Sequence, residues 1–235
     1  MSSAPKPLQV AIDGPAASGK TTVARMVARR LHFLYLDTGA MYRAVAYLAL
    51  KTRTDADNGA ALVRLCEHEP IRVTLDEGAS LGFRIVAGEH ELTESDLQSN
   101  EVTAVVSTVA AQSEVRDLMV HLQREVASSG SVVMAGRDIG TVVLPQAAVK
   151  IYLDASVAAR VERRRAQLEA AGADVDAHKL AEEIEERDRL DENRAVSPLQ
   201  AAPDAHMLDS SHMTAEEVTA EICRIVERTR ERSRA

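Results

Sequence analysis

A short glycine-rich segment carries the residue types most suited to chemistry on phosphates. Residues 14–21 follow the spacing G-x-x-x-x-G-K-T, in which Gly14, Gly19, Lys20 and Thr21 occupy the fixed positions. Small residues let successive backbone N–H groups turn inward around an anion, and a helix that begins at the loop adds further N–H groups. Lys20 can then reach the outer phosphates, and the Thr21 hydroxyl can ligate Mg²⁺. The segment therefore predicts a site for a nucleoside triphosphate with Mg²⁺.

The flanking sequence supplies the strand and the helix that such a loop requires. An apolar run over residues 8–13 ends at Asp13, and apolar residues recur at helical spacing after Lys20. Asp13 could stabilise the loop or hold Mg²⁺ through water. The predicted phosphate-binding residues are Gly14, Pro15, Ala16, Ala17, Ser18, Gly19, Lys20, Thr21 and Thr22.

Several arginines are placed where they could hold further phosphate groups. Arg43 and Arg137 each follow a predicted strand and a glycine turn, whereas Arg187 and Arg194 lie seven residues apart. Seven residues are about two turns of a continuous helix, so both side chains would point the same way. Arginine suits phosphate because its planar fork forms paired hydrogen bonds. Since single arginines are usually solvated, spacing alone leaves these assignments open.

Two further aspartates, Asp138 and Asp154, follow apolar strands at positions where a carboxylate that helps to hold Mg²⁺ would lie. Aspartates at strand ends are also common turn caps. The residue types leave both interpretations open. The seven histidines show no spacing typical of metal ligands or of a catalytic triad.

An alternation of short apolar strands with helices positions these residues. Strands are predicted at 8–13, 35–37, 131–135, 149–153 and 205–208. This rhythm predicts an α/β fold, with a parallel sheet and helices on both faces, of the type found in phosphate-loop NTPases. Ligands in such folds collect at the carboxyl ends of the strands. The segments expected to meet there are the glycine loop, residues 37–39, residues 136–138 and Asp154.

Two segments depart from this rhythm. Residues 70–95 contain three short strands with tight turns, which predicts a small antiparallel insertion. Two densely charged helices at about 156–171 and 176–190 are expected to project into solvent. The other predicted helices span about 20–32, 44–50, 60–68, 97–109 and 114–126, with a closing helix after a capping box formed by Thr214 and Glu217.

Composition narrows the class of protein. The 235 residues include 28 Lys and Arg against 36 Asp and Glu, so the net charge is −8. Because polyanion binders usually carry a basic surplus, a nucleic-acid polymer is not the expected partner. Aromatic residues make up 3% and Trp is absent, which leaves recognition of a base mainly to polar groups. The arginines between residues 160 and 194 instead suit a small phosphorylated ligand.

The sequence also bears on location and assembly. No apolar run approaches the ~20 residues that a membrane span needs. The first seven residues lack the apolar region of a signal peptide, so we expect a cytoplasmic protein. Cys66 and Cys223 lie far apart and are expected to be reduced thiols. The length predicts a single domain, and the lack of an exposed heptad stripe favours a monomer.

Five separated motifs together resemble the bacterial cytidylate kinases over about residues 8–226. They are IDGPAASGK (12–20), LDTGAMYR (36–43), GRDIGTVV (136–143), KIYLDAS (150–156) and RDRLDENRAVSPL (187–199). The first motif alone is generic, but the combination is specific. The resemblance implies transfer of phosphate from ATP to CMP, and to dCMP, with Mg²⁺ as cofactor.

The same resemblance implies a division of the kinase domain and a role for individual residues. The core would comprise 8–37, 131–155 and 195–226, the nucleoside monophosphate (NMP)-binding part 38–125, and the lid about 156–190. Thr38, Tyr42, Arg43, Arg137 and Arg194 would contact the CMP phosphate, and Ser107, Arg116 and Asp138 would read the cytosine. Arg187 and Asp191 would serve the ribose and the transfer site, while Lys20, Arg160, Arg163 and Arg164 would face ATP. The catalytic residues would be Lys20, Arg137, Arg187 and Arg194.

The chemistry of the base agrees with these roles. Asp138 could accept a hydrogen bond from the exocyclic amine of cytosine, whereas uracil would present a carbonyl there. Alternatives remain at this point: a kinase for another nucleotide or for a hydroxyl group, and a regulatory protein that uses the nucleotide as a switch. An RNA-binding module would need a basic surface that a net charge of −8 does not supply.

Overall fold

A computed structural model describes residues 7–76, 78–170, 172 and 174–232. Residues 1–6, on which the prediction of no signal peptide mainly rests, lie outside the described residues, as do residues 233–235. The strands are β1 (Gln9–Asp13), β2 (Leu34–Asp37), β3 (Ile71–Leu75), β4 (Phe83–Ala87), β5 (His90–Glu91), β6 (Val132–Gly136), β7 (Val149–Asp154) and β8 (His206–Asp209). The helices are α1 (Lys20–Leu31), α2 (Thr38–Thr52), α3 (Gly59–His68), α4 (Glu94–Gln98), α5 (Asn100–Ala111), α6 (Ser113–Ala127), α7 (Val157–Ala170), α8 (Ala177–Glu192) and α9 (Ala215–Arg232).

Five strands form the predicted parallel sheet, in the order β2-β6-β1-β7-β8. The central strand β1 pairs with β6 and β7, so that Ile12 lies between Ala135 and Ile151. Val10, Ala11 and Ile12 are completely buried because helices flank the sheet. This burial explains the continuous apolar runs in the sequence. The α/β fold is therefore confirmed, and the carboxyl ends of its strands face one edge.

The predicted insertion is a three-stranded antiparallel sheet in the order β3-β4-β5. Its side chains alternate between buried and exposed, with Phe83, Ile85 and Ala87 facing inward. The Phe83 ring lies 6.1 Å from the ring of Tyr35 on β2, which joins the small sheet to the main one. The small sheet therefore confirms the insertion, although Glu77 in its first turn lies outside the described residues.

The prediction of a single helix over residues 97–109 is wrong. Residues 97–109 are divided between α4 and α5, which meet at Ser99. The side chain of Ser99 accepts a hydrogen bond from the Val102 N–H, so the second helix has its own cap. Thr93 and Asp96 form a capping box at the start of α4. Local capping therefore outweighs the continuous helical spacing of the apolar residues.

The interval between Arg187 and Arg194 is not the two turns of continuous helix that their spacing would allow. Helix α8 ends at Glu192, and Asn193 caps it by donating from its side chain to Arg189 O at 2.8 Å. Arg194 lies beyond the cap, so the two arginines are not related by helical geometry. Nor do α7 and α8 simply project into solvent, because Leu180 and Ile184 are buried.

The closing helix follows its predicted pattern. Thr214 and Glu217 form the expected capping box, with Thr214 N–H donating to Glu217 at 2.8 Å. Val218, Ile222 and Val226 are buried where α9 packs beside α1. Within the described part of the chain, no helix has both the length and the apolar content to span a membrane. Cys66 and Cys223 are buried free thiols.

Candidate active site

The glycine loop joins β1 to α1 at the carboxyl edge of the sheet. Gly14 has φ +151°, and a Cβ there would lie 2.1 Å from Leu153 O, so only glycine fits. Gly19 has φ +93° and precedes α1, whose first turn has no acidic residue and no side-chain cap. The free N–H groups of that turn and its positive dipole end favour an anion. The loop thus has the shape and polarity of a phosphate site.

Lys20 is held within this loop. Its Nζ donates to Pro15 O at 2.6 Å and to Ser18 Oγ at 3.2 Å. Burial lowers the pKa of the Lys20 amine well below its ordinary value, and the nearby positive charge of Arg137 lowers it further. A phosphate beside Lys20 would compensate both effects, because an anion favours the protonated amine.

Thr21 lies where a metal bound to the phosphates could reach it. Its side chain is exposed, and its hydroxyl donates to Asp37 Oδ2 at 2.9 Å. A hydroxyl and a carboxylate are the oxygen ligands that Mg²⁺ prefers, with phosphate oxygens and water completing the shell. The described residues include no cluster of three or more His, Cys, Asp or Glu side chains that could hold a metal alone. These two residues fit an ion that arrives with a nucleotide.

The three arginines that are predicted to lie in the lid differ in their hydrogen-bond partners. Arg160 is buried and donates to Ala16 O at 3.0 Å, and it also pairs with Asp188. Arg163 donates to Ser18 O at 3.3 Å and to both oxygens of Ser210. Arg164 is half-buried and contacts only Gln167, at 3.4 Å, among the described residues. All three lie on α7, but only Arg160 and Arg163 hydrogen-bond to the loop.

Two arginines pair with Asp191, which lies in the last turn of α8. Arg137 Nε donates to Asp191 Oδ2 at 2.7 Å, and Arg194 Nη2 lies 3.3 Å from Asp191 Oδ1. Burial acts to raise the pKa of Asp191, but Arg137 and Arg194 outweigh it and hold that pKa below its usual value. The carboxylate therefore stays charged between two arginines and holds them in place.

Arg187 lies beside these residues, and nearby negative charge balances its positive charge less fully. Burial, followed by repulsion from Arg137, lowers the pKa of its guanidinium to about 10. Its buried Nε has no hydrogen-bond partner in the described structure. An unpaired buried guanidinium is costly unless an anion satisfies it. Arg137 therefore lies near three other cations, Lys20, Arg187 and Arg194.

The predicted base-reading residues Arg116 and Asp138 contact each other. Arg116 on α6 forms a buried salt bridge with Asp138, which follows β6. The Arg116 guanidinium lies 5.3 Å from the centre of the Tyr42 ring, and burial raises the pKa of Tyr42 to about 12. Ser107 is half-buried on α5. The structure brings a polar pair and an aromatic ring together at the predicted base site.

The remaining acceptor-site candidates lie at the start of α2. Thr38 is buried, and its hydroxyl donates to Ala135 O at 3.0 Å. Arg43 donates from Nη1 to Leu97 O at 2.8 Å and to Thr103 Oγ1 at 2.9 Å, so it is tied to α4 and α5. Thr22, which is predicted to belong to the phosphate loop and not to the acceptor site, is exposed on α1.

Asp13 links the two parts of the site in a way that the sequence does not reveal. Its carboxylate accepts hydrogen bonds from Ile139 N–H at 2.8 Å and Gly140 N–H at 2.7 Å. These residues begin a π-helical turn, Ile139–Val143, that directly follows Arg137 and Asp138. Burial raises the pKa of Asp13 to about 6. The end of β1 is thereby fixed to the segment that carries two acceptor-site candidates.

Three other residues at the site have no role predicted from the sequence. Asp37 ends β2 and begins the segment 37–39 that is expected at the carboxyl edge, but no role is predicted for its carboxylate. Nothing in the local sequence marks Asp188 as a site residue, since it lies within a densely charged helix. Gln123 is buried with both amide atoms unpartnered among the described residues, and nothing in its helical spacing marks it as polar core.

Comparison with known proteins bears on the family of this chain. The family model described as cytidylate kinase matches residues 10–228. A protein of Exiguobacterium sibiricum named cytidylate kinase is 46% identical over 222 residues, which cover 94% of this chain and 98% of that protein. The cytidylate kinase of Enterococcus faecalis is 46% identical over 219 residues, with 93% and 95% covered.

Solved structures show the fold at greater sequence distance. The crystal structure of an uncharacterized protein from Eubacterium ventriosum is similar with a TM-score of 0.50 at 11% identity, and 94% of this chain and 99% of that one are covered. That likeness concerns the fold alone. The match of the family model over nearly the whole chain, together with relatives of this identity, shows that the chain belongs to the cytidylate kinase family.

Proposed function

We propose that this protein catalyses the transfer of the γ-phosphoryl group of ATP to CMP, forming ADP and CDP. The observation that carries the proposal is the proximity of two phosphate-binding regions. Arg137 lies close enough to Lys20 to depress its pKa, although the two residues belong to different regions. Two such cations side by side suit a donor and an acceptor phosphate that must meet in line.

The reaction needs little covalent help from the protein. An oxygen of the CMP phosphate forms a bond to the γ-phosphorus, while the bond from that phosphorus to the β,γ-bridging oxygen breaks and ADP leaves. The attacking oxygen is already anionic, so no general base is required. Lys20, Arg137, Arg187 and Arg194 would neutralise charge on the transferring group, and closure of the lid helices would exclude water.

The donor would occupy the glycine loop, residues 14–22, with its phosphates on the N–H groups at the start of α1. Thr21 and Asp37 would hold Mg²⁺, directly or through water, and Arg163 and Arg164 would face the nucleotide. When bound, Mg²⁺ supplies charge neutralisation between the β- and γ-phosphates. The 2.9 Å contact between Thr21 and Asp37 supports their joint role.

The acceptor would be recognised by its phosphate and by its base. Thr38, Arg43, Arg137 and Arg194 would contact the phosphate, whereas Asp138 would accept from the cytosine amine. Arg116 and Ser107 would donate to the ring, and Arg187 and Asp191 would serve the ribose and the transfer site. The salt bridge between Arg116 and Asp138 supports this role because it holds both groups in place before a base arrives.

The remaining proposals concern organisation. The NMP-binding part would span residues 38–125, the lid about 156–190, and the core the rest. We place the enzyme in the cytoplasm, acting as a monomer in pyrimidine nucleotide metabolism, and dCMP as a second acceptor. The family supports the metabolic role and the second acceptor, and the single parallel sheet supports a shared core.

The test is formation of ADP and nucleoside diphosphate from MgATP with CMP, dCMP, UMP, AMP and dTMP side by side. We expect CMP to be the preferred acceptor and UMP to be used poorly. Preference for another nucleotide, or for a hydroxyl acceptor, would overturn the substrate assignment. Slow ATP hydrolysis that no acceptor accelerates would instead indicate a nucleotide switch.

A further inference from the structure

A buried ion pair joins the glycine loop to both charged helices. Arg160 on α7 and Asp188 on α8 are 5% and 7% exposed and form a salt bridge. Each also bonds one backbone group of Ala16. The Ala16 N–H donates to Asp188 Oδ1 at 2.9 Å, and Arg160 Nη1 donates to Ala16 O at 3.0 Å. The two side chains, called here the Arg160–Asp188 clamp, therefore hold a single loop residue by both of its backbone groups.

The next loop residue explains why such a hold is needed. Ala17 has φ +57°, in the left-handed region that residues with a Cβ rarely adopt. A conformation of this kind persists only where its surroundings enforce it. The clamp fixes the residue immediately before Ala17, and a bond from Arg160 Nε to Ala155 O at 3.0 Å fixes the guanidinium in turn. The ion pair thus holds the loop directly beside its left-handed residue.

The clamp also relates the loop to the acceptor side. Asp188 lies between Arg187 and Asp191 on α8, and Asp191 holds Arg137 at 2.7 Å. A helix is rigid over a single turn, so fixing Asp188 against Ala16 sets the position of its two neighbours relative to the loop. One buried carboxylate therefore aligns groups on both sides of the site.

We propose that Arg160 and Asp188 are positioning residues that keep the glycine loop in its nucleotide-receiving shape before ATP binds. This assignment replaces the expected contact of Arg160 with ATP, because its Nε and Nη1 are engaged by Ala155, Ala16 and Asp188. Its kinetic consequence rests on the proposed kinase function, whereas its effect on the free loop does not.

The first experiment measures amide hydrogen exchange over residues 14–19 without nucleotide, in the wild type and in Asp188→Asn. The asparagine keeps an oxygen that can accept from Ala16 but loses the charge that pairs with Arg160. We expect exchange to accelerate about tenfold, the effect of weakening one charge-assisted hydrogen bond. Saturating MgATP should restore slow exchange, because the phosphates then hold the loop. Unchanged exchange in the free variant would overturn the proposal.

Steady-state kinetics supply the second measurement. The KM for MgATP should rise about tenfold in Asp188→Asn, while the KM for CMP changes less than about twofold. The matched control is Glu186→Gln on the same helix, whose exposed pair with Arg189 at 2.6 Å touches neither site. It should alter neither exchange nor KM. Equal rises in both KM values, with unchanged loop exchange, would show a general structural role and contradict the proposal.

Arg160→Lys separates the clamp from direct nucleotide binding. Lysine keeps the charge but cannot bond Ala16, Ala155 and Asp188 together, so the loop should exchange faster in this variant as well. If only the KM for MgATP rises while free-loop exchange stays unchanged in both variants, Arg160 contacts the nucleotide and the proposal is wrong. If exchange accelerates but CMP is not phosphorylated, the clamp stands and the proposed function fails.

Discussion

The donor loop and the acceptor site are built in contrasting ways. The loop is a run of nine consecutive residues, 14–22, whose key polar groups already have protein partners: Lys20 bonds Pro15 and Ser18, and Ala16 bonds Asp188. The acceptor candidates come from distant segments, between Thr38 and Arg194. Among the described residues they include three buried polar atoms without a hydrogen-bond partner: Tyr42 Oη, Arg116 Nε and Arg187 Nε.

This difference suggests how the two substrates are distinguished. A loop in which Lys20 and Ala16 already have partners is shaped in advance, and its free N–H groups would bind the phosphates of any nucleoside triphosphate. A buried donor or acceptor left unpaired costs about 1–3 kcal/mol, which a ligand recovers only if its own groups match. Selectivity is therefore expected on the acceptor side, and general phosphate affinity on the donor side.

The largest expected effect is on the donor side. Lys20→Ala should lower kcat by about a thousandfold or more, because a buried cation beside the transferring phosphate is lost. A coupled assay of ADP release measures the change. Circular dichroism should show an intact fold, since the surrounding loop is held by Asp188 and Arg160 as well. Substantial turnover in a folded variant would remove the loop from the mechanism.

The next effect tests selectivity at Asp138. Asp138→Ala should reduce the preference for CMP over UMP about tenfold to a hundredfold, because the acceptor for the cytosine amine is lost. The variant also leaves Arg116 buried without its partner, which typically costs about 3–5 kcal/mol of stability. Asp138→Asn is the matched variant, since it keeps the volume and a polar group. An equal loss of kcat/KM for both nucleotides would count against Asp138 as the base reader.

Asp13 sharpens the comparison because it joins the two regions. Its pKa is about 6 in the folded chain against 3.8 for an ordinary aspartate, so the folded state binds this proton more tightly. The contribution of Asp13 to stability is therefore greatest below about pH 4 and falls as pH rises to about 6, by up to about 3 kcal/mol. Urea unfolding of the wild type and Asp13→Asn between pH 4 and 7 isolates this contribution. Curves that stay parallel across this range would rule it out.

The smallest effect concerns Tyr42. Its ring lies under the Arg116 guanidinium, so Tyr42→Phe should leave the KM for CMP within about twofold, whereas Tyr42→Leu should weaken the preference for CMP about fivefold through loss of the cation–π contact. The sequence-based assignment of Tyr42 to the phosphate predicts another pattern. In that case Tyr42→Phe would raise the KM for CMP and UMP alike.

The sequence predicts the main elements because their signals are local. Continuous apolar runs place the strands of the parallel sheet, alternating residues place those of the antiparallel sheet, and capping residues place the start of α9. The predictions fail where a local cap competes with a longer pattern. Ser99 divides one predicted helix, and the side chain of Asn193 ends α8 before Arg194. The π-helical turn at Ile139–Val143 has no local signal, because its first N–H groups are bonded by Asp13 from a distant strand.

The sequence by itself determined the donor loop, since the spacing of Gly14, Gly19 and Lys20 specifies backbone geometry and charge within one turn of chain. It also marked the arginines and aspartates of the acceptor side as candidates. Only the tertiary structure decided that Arg116 pairs with Asp138 and Arg137 with Asp191, and it paired Arg160 with Asp188, a residue that the sequence did not mark. Those pairs join segments separated by 22, 54 and 28 residues. Burial makes each pairing decisive, because a charge removed from water must find its partner through the fold of the whole chain.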